Sequence, residues 1–140
     1  MTTKRATPRV LVVDDDVDCA DSLAQLLQEL GCTATARHDA RSAIQAAMDV
    51  LPELVIVDLA LGAEDGCAVM NGIRDVLALR HRPVMVCLTG RADGRTEGLC
   101  LQRGFDLFLT KPMCPDALQE VLQVVHSRRP RAPVVKMRGG

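Results

Sequence analysis

The feature of this sequence that most restricts its fold is a regular alternation of short β-branched runs with longer amphipathic stretches. Five such pairs follow one another between residues 9 and 128. The first run, residues 10–13, and the third, residues 54–57, are apolar at every position, as expected of central strands covered on both faces. This alternation is typical of a parallel sheet with crossover helices. The sequence therefore predicts an α/β fold built on five parallel strands.

The stretches between these runs have apolar residues at helical spacing and end where helix-ending residues stand. Gly31 follows the first stretch and Pro52 the second. The fourth stretch, residues 93–103, contains Gly94 and Gly98 and few apolar residues, which predicts the least stable helix. The three remaining strands are predicted at residues 33–36, 84–88 and 105–109.

Length and composition favour one folded domain. The 140 residues, 48% of them hydrophobic, suffice for a single sizeable core. We divide the chain into an N-terminal extension (1–8), a domain (9–128) and a basic, disordered tail (129–140) that is too short to fold as an output domain. No apolar run approaches the roughly 20 residues needed to span a bilayer, and the polar start is unlike a signal peptide. We expect a cytoplasmic protein without a membrane partner.

Charge and cysteine content exclude several classes of protein. The 17 Lys and Arg residues nearly balance the 18 Asp and Glu residues, which removes any whole-chain argument for binding nucleic acid. Residues 128–140 are basic and contain no acid, so this tail could contact nucleic acid only weakly, through non-specific electrostatics. The six cysteines lie 13 to 35 residues apart without a C-x-x-C pair, which indicates reduced, mostly buried thiols.

Polar residues stand where the predicted strands end. Asp14 and Asp15 follow the first strand, Asp58 the third, Thr89 the fourth and Lys111 the fifth. In the doubly wound order 2-1-3-4-5 with right-handed crossovers, the first and third strands are neighbours, so the three carboxylates converge at the switch-point crevice. Such a cluster is stabilised by a shared proton, a cationic side chain or a divalent metal. An all-oxygen site with few carboxylates suits Mg²⁺.

This set of side chains has the parts needed to accept a phosphoryl group: a carboxylate nucleophile, a metal site, a lysine and a hydroxyl. Asp58 is the better nucleophile because it stands alone at its strand end. The Asp14 and Asp15 pair is better placed to hold the metal.

On the basis of these residues, the chain resembles the receiver domain of bacterial two-component response regulators over about residues 9–127. The resemblance implies a flavodoxin-like fold. Each motif is weak alone, but five in order at the expected strand ends are specific. The segment 14–23 is also similar to receivers fused to hybrid sensor kinases. The motifs are Asp14-Asp15 after the first strand, Asp58, Asp65-Gly66, Thr89 and Lys111-Pro112.

The resemblance implies a phosphorylated Asp58, with a histidine kinase or a histidine phosphotransfer protein as donor. The side chains of Asp15 and Asp58 and the main-chain carbonyl of Ala60 would bind Mg²⁺, and Asp14 would act mainly through water. Lys111 would pair with one phosphoryl oxygen. The Thr89 hydroxyl would move to bond another.

The resemblance also implies a switch between two states. Phe108 matches the rotameric aromatic residue of the family, and the Lys111-Pro112 bond would be cis. The fourth helix, fifth strand and fifth helix would form the surface that contacts a downstream protein. The chain departs from the family pattern at Gly62, where proline is common, and has Ala60 and Arg91 at two positions that set the lifetime of the acyl phosphate.

Other interpretations remain beside this one. Asp14, Asp15 and Asp16 could be helix-start carboxylates, and Phe108 could be an ordinary core residue. The fold could serve as a binding module without phosphorylation, or as an intermediate or sink in a phosphorelay. A hydrolase acting on other phosphorylated molecules is a further alternative. We expect no enzymatic activity beyond self-phosphotransfer and autodephosphorylation.

Overall fold

The structure is a computed structural model that describes residues 7–61, 64–78, 80–90 and 94–128. Five helices and five longer strands alternate along the chain. The strands are β1 (Arg9–Val13), β2 (Thr33–Arg37), β3 (Leu54–Asp58), β4 (Val84–Thr89) and β5 (Leu107–Thr110). The helices are α1 (Val17–Glu29), α2 (Ala40–Val50), α3 (Gly66–Leu77), α4 (Gly94–Gln102) and α5 (Pro115–Arg128).

The five strands form one parallel sheet in the order β2-β1-β3-β4-β5. The order reverses between β1 and β3, whose partners run from Val10 opposite Leu54 to Val13 opposite Val57. The predicted doubly wound, flavodoxin-like α/β architecture is therefore confirmed. A crevice forms at such a reversal because the connections on its two sides leave in opposite directions.

Two apolar clusters lie on the two faces of the sheet. Leu11, Val55 and Met85 point toward α2, α3 and α4 and are fully buried. Val12 and Ile56 point toward α1 and α5 and are equally buried. Since successive side chains of a strand point to opposite faces, a strand covered on both sides must be apolar throughout. The uninterrupted apolar runs of β1 and β3 satisfy this requirement.

The helix ends follow from local chemistry. Asp16, Asp39 and Asp65 are the N-cap residues of α1, α2 and α3, and each side chain accepts a hydrogen bond from a main-chain amide of the first turn. Gly31 and Gly104 follow α1 and α4 with φ of 93° and 112°, a region that favours glycine. The roles predicted for Gly31 and for Asp16 are confirmed.

The structure differs from the sequence-based boundaries in two places. β5 begins at Leu107 rather than at residue 105, because the Phe105 amide donates to the carbonyl of Cys100 and completes the end of α4. The predicted loop after β3 contains a short antiparallel hairpin, Ala60–Leu61 with Glu64–Asp65. Two-residue strands carry no periodic signal, so hydrophobic patterning does not predict this hairpin.

Three predictions concern residues that lie outside the described ones. These are the disordered tail 129–140, the effect of Gly62 and the effect of Arg91. The boundaries 1–8 and 9–128 stay predictions. Within the described parts of the chain, no helix is long and apolar enough to cross a membrane.

Gly66→Ala is expected to lower the free energy of unfolding by about 1–3 kcal/mol, the usual cost of overpacking. A Cβ at Gly66 would lie 2.4 Å from the main-chain oxygen of Asp58 and 3.0 Å from the Cα of Leu59. Gly98→Ala is the matched control, because a Cβ there meets no atom within 4 Å and alanine favours the interior of α4. Urea denaturation should show loss at residue 66 and no loss at residue 98; equal stability of the two variants would contradict the packing argument.

Candidate phosphoryl-acceptor and metal site

The candidate site lies at the carboxyl edge of the parallel sheet. Asp14 directly follows β1, Asp58 ends β3, Thr89 ends β4 and Lys111 directly follows β5. Because β1, β3, β4 and β5 are consecutive neighbours in the sheet, their carboxyl ends present these side chains along one edge. The structure therefore brings together the residues that the sequence singled out at separate strand ends.

Lys111 lies between two buried carboxylates. Its Nζ donates to Asp58 Oδ2 at 3.0 Å and to Asp14 Oδ2 at 3.2 Å. The side chains of Asp14 and Asp58 are 1% and 10% exposed, whereas that of Lys111 is 32% exposed. The lysine thus neutralises part of the negative charge of the site while its own side chain reaches solvent.

The main chain fixes the Asp14 carboxylate from one side. Its Oδ1 accepts a hydrogen bond from the Asp16 amide at 3.0 Å, and its own amide donates to the carbonyl of Arg37 at 3.1 Å. Nδ1 of His38 lies 3.1 Å from the Asp14 carbonyl oxygen. The motifs of the sequence assign no role to His38. Its position directly after β2, at the same sheet edge, is the signal that indicates this contact.

Charge and burial shift the pKa values of two groups in the site. Burial raises the pKa of the Asp14 carboxyl, and the negative charge of Asp58 adds to this rise, against the opposing effect of the hydrogen bond from the Asp16 amide. Burial alone would lower the pKa of Lys111, but its contacts with Asp58 and Asp14 outweigh burial and raise it. The rise for Lys111 reflects the negative charge of its two partners, whereas that for Asp14 comes mainly from burial.

The three carboxylates are close enough to share a metal ion. One oxygen from each of Asp14, Asp15 and Asp58 lies within 4.8 Å of the others. Asp15 is exposed, and Asp14 and Asp58 are buried. Hard divalent cations of the Mg²⁺ type prefer carboxylate oxygens and retain several waters, which an exposed ligand on one side permits. The donor set therefore fits Mg²⁺.

The two predicted switch residues lie on the neighbouring strands β4 and β5, which end at this site. Thr89 is 5% exposed, and its carbonyl oxygen accepts a 2.8 Å hydrogen bond from the Lys111 amide, which ties the end of β5 to the end of β4. Phe108 is half-buried in β5 against the cluster under α2, α3 and α4, and it pairs with Cys87 in the sheet register. The Lys111-Pro112 bond is cis, as the resemblance implies.

Asp65 and Gly66, which belong to the same set of motifs, shape the backbone next to Asp58. The Asp65 side chain accepts from the Cys67 amide at 2.9 Å, and the Gly66 amide donates to the Leu59 carbonyl at 3.1 Å. These contacts hold the start of α3 directly against the end of β3. The Ala60 carbonyl, two residues beyond Asp58, stays a predicted ligand.

The sequence of this chain is similar to those of known proteins. The family described as "Response regulator receiver domain" matches residues 10–123. An uncharacterized 14.6 kDa protein of Leptolyngbya boryana is 32% identical over 114 residues, which cover 81% of this chain and 86% of that protein. The transcriptional regulatory protein PrrA of Mycobacterium leprae is 34% identical over 115 residues. Those residues cover 80% of this chain but 47% of PrrA, so the chain spans about half the length of that relative.

Solved structures share the fold. The chemotaxis protein CheY4 of Vibrio cholerae superposes with a TM-score of 0.77 at 23% identity, covering 86% of this chain and 99% of CheY4. NtrX of Brucella abortus superposes with a TM-score of 0.76 at 30% identity, covering 87% of this chain and 27% of NtrX.

Proposed function

Because this chain belongs to the response regulator receiver domain family of two-component systems, we propose that it accepts a phosphoryl group on Asp58 from a phosphohistidine. The donor would be a histidine kinase or a histidine phosphotransfer protein. The observation that carries the proposal is the contact of Asp58 Oδ2 with Lys111 Nζ at 3.0 Å, in a crevice that also holds Asp14 and Asp15. The proposed nucleophile, a cation and two further carboxylates that could hold a metal therefore share one edge of the sheet.

The protein side chains that take part in the proposed transfer all lie at this edge. A carboxylate oxygen of Asp58 attacks the phosphorus, the new O–P bond forms as the N–P bond of the donor breaks, and the leaving imidazole keeps the electron pair and takes a proton from water. The Lys111 ammonium, partly exposed and already bonded to Asp58, shifts one hydrogen bond to a phosphoryl oxygen. The Thr89 hydroxyl donates to a second phosphoryl oxygen.

Asp14, Asp15, Asp58 and the Ala60 carbonyl would hold Mg²⁺. When bound, the ion supplies charge neutralisation for the phosphoryl oxygens. Its role is supported by the charge balance of the cluster: three carboxylates lie together, and Lys111 pairs with two of them, which leaves negative charge to be balanced.

Modification would be read out by a downstream protein at the surface formed by α4, β5 and α5. This part of the proposal is supported by the position of Thr89 and Phe108 on the two adjacent strands β4 and β5. A change at the Thr89 side chain can reach Phe108 across one strand pairing. In this proposal the protein does not hydrolyse other phosphorylated molecules. The phosphoryl group is transferred to and lost from Asp58 alone.

Intact mass measurement tests the proposal. The protein is incubated with acetyl phosphate and Mg²⁺, and a parallel sample contains EDTA. We expect a gain of about 80 Da, one phosphoryl group, in the Mg²⁺ sample only. Borohydride reduction should convert the modified Asp58 to homoserine, which peptide mapping locates.

Four outcomes would count against the proposal. A mass gain that persists in EDTA would show that the reaction does not need Mg²⁺. A mass gain located on another residue would show that Asp58 is not the acceptor. If neither phosphoryl gain nor beryllofluoride binding occurred, a phosphorylation-independent binding module would become the better interpretation. Release of phosphate from p-nitrophenyl phosphate over many turnovers would instead favour the hydrolase.

A further inference from the structure

Two buried thiols meet between the sheet and α4, outside the carboxylate cluster. Sγ of Cys87, in β4, lies 2.9 Å from Sγ of Cys100, in α4. The two residues are 0% and 1% exposed. Neither side chain has a part in the transfer to Asp58 proposed above.

Packing as small hydrophobes does not account for this contact. A buried cysteine needs only carbon neighbours to stabilise a core, whereas these two sulfur atoms are closer to each other than non-bonded sulfur atoms normally approach. A disulfide bond is about 2.05 Å long, so closure requires roughly 0.9 Å of further approach. Because α4 is a short helix with a glycine at position 98, that approach does not require a long, rigid element to move.

An oxidant can reach one member of the pair. A cavity of about 210 Å³ lies between α3 and α4, and its lining includes Cys100, Leu99, Thr96 and Leu59. This volume exceeds that of several water molecules, each of which takes about 30 Å³ in the liquid. Cys87 does not line the cavity. Of the two, Cys100 is therefore the thiol that a small oxidant meets first, with Cys87 at 2.9 Å from it; Cys67 of α3 also lines this cavity.

We propose that Cys87 and Cys100 form a reversible disulfide when the protein meets a two-electron oxidant of the peroxide class. Cys100 sulfur attacks one peroxide oxygen, the O–O bond breaks, and a sulfenic acid and one water result. Cys87 sulfur then attacks the sulfenic sulfur and expels a second water. In sum, two thiols and one hydrogen peroxide give one disulfide and two waters.

The disulfide would fasten α4 to β4 at a point two residues before Thr89. In the reduced protein, a 3.8 Å ion pair between Arg103 and Asp65 also connects the end of α4 to the start of α3, and both of its side chains are more than half exposed. A covalent link would restrain α4 far more strongly than this exposed pair.

The other cysteines provide the contrast. Cys19 and Cys114 are exposed, and Cys32 is buried in the cluster on the opposite face of the sheet. Burial, and then the contact with Cys100, raise the pKa of Cys87, which slows its direct oxidation; its later attack on the sulfenic sulfur depends on the 2.9 Å contact that holds the two sulfur atoms together. Cys67 lines the same cavity as Cys100, so access alone does not select between them; the 2.9 Å contact of the Cys100 sulfur with that of Cys87 is what favours this disulfide.

The test uses the full chain with Cys19→Ser and Cys114→Ser, which removes the exposed thiols. After treatment with hydrogen peroxide we expect a mass loss of about 2 Da, reversed by dithiothreitol, as two hydrogens are removed. Non-reducing peptide mapping should join the peptides of Cys87 and Cys100. Cys100→Ala in the same background should abolish the mass loss, and the matched Cys32→Ala should retain it.

Even if Cys100→Ala fails to fold, the variant with only Cys19→Ser and Cys114→Ser tests the proposal. A disulfide to Cys67, the other cysteine that lines this cavity, would overturn the proposal. So would stepwise addition of oxygen to Cys100 without a cross-link, or no reaction under conditions that cross-link the urea-unfolded chain. As a second readout, hydrogen exchange of the α4 amides should slow by about tenfold or more on oxidation, since the link ties α4 covalently to the central sheet.

Discussion

Asp58→Asn is expected to abolish the phosphoryl gain completely, because an amide oxygen is too weak a nucleophile and the Asp14 carboxylate is already engaged. Asp14 has one oxygen bonded to the Asp16 amide and the other to Lys111, and it is 1% exposed. An incoming phosphoryl group therefore meets Asp58 rather than Asp14. Intact mass after incubation with acetyl phosphate and Mg²⁺ measures the effect.

The same substitution is expected to raise the stability of the metal-free protein. Three clustered carboxylates repel one another, and Asn at position 58 removes one negative charge while keeping the shape of the side chain. Thermal denaturation in EDTA should give a higher Tm for the variant. Added Mg²⁺ should then stabilise the wild type more than the variant; at ten times its Kd the ion contributes about 1.4 kcal/mol.

Asp65→Asn is the matched control for both measurements. Like Asp58, Asp65 carries a carboxylate, but its side chain caps α3 and is exposed. The control should still gain one phosphoryl group. Retention of the gain by Asp58→Asn, or its loss in Asp65→Asn with an unchanged fold, would contradict the assignment of the acceptor.

Much of this site could be predicted from the sequence because its residues stand at the ends of predicted strands. A parallel sheet puts its carboxyl ends on one edge, and the handedness of crossovers limits the strand order, so strand order alone predicts that Asp14, Asp58 and Lys111 lie together. The periodic apolar pattern located the five strands within about two residues. These features depend on properties that each segment carries by itself.

Other features depend on contacts that no segment specifies alone. The 2.9 Å approach of Cys87 to Cys100 is set by the position of α4 on the sheet, and spacing along the chain carries no signal of it. The contact of His38 with the Asp14 carbonyl likewise requires β1 and β2 to be paired in register. The cis Lys111-Pro112 bond was expected only from the family resemblance.

Lys111→Met is expected to lower the free energy of unfolding by roughly 2–3 kcal/mol in metal-free buffer. Removal of one partner of a buried ion pair leaves uncompensated charge, which costs about 3–5 kcal/mol when burial is complete. The effect is smaller here because Lys111 is 32% exposed. Phosphorylation should slow by about 10²–10³-fold, the usual result of removing one donor to a developing anionic oxygen. Urea denaturation and the rate of mass gain measure the two effects.

Two controls separate charge from packing. Arg128→Met removes an exposed ion pair, 3.7 Å from Asp106 with side chains 44% and 37% exposed, and should cost less than about 1 kcal/mol. Lys111→Arg keeps the charge and should retain most of the stability, although its planar donor group is less suited to two separate carboxylates. Equal losses in Lys111→Met and Arg128→Met would mean that the lysine does not neutralise the buried pair.

The stability difference between wild type and Lys111→Met should depend on pH in a defined direction. The folded protein raises the pKa of Lys111 above its ordinary value of 10.5 because Asp58 and Asp14 outweigh the opposing effect of burial. Below that ordinary value the lysine is protonated in both the folded and the unfolded chain, and its contribution is fully present. As the pH rises through the higher folded pKa, the folded protein also loses the proton and the contribution disappears. The difference should therefore be constant from about pH 7 to 9 and decrease above pH 10.5; a difference that grew with pH would show that Lys111 does not serve as the cation of this site.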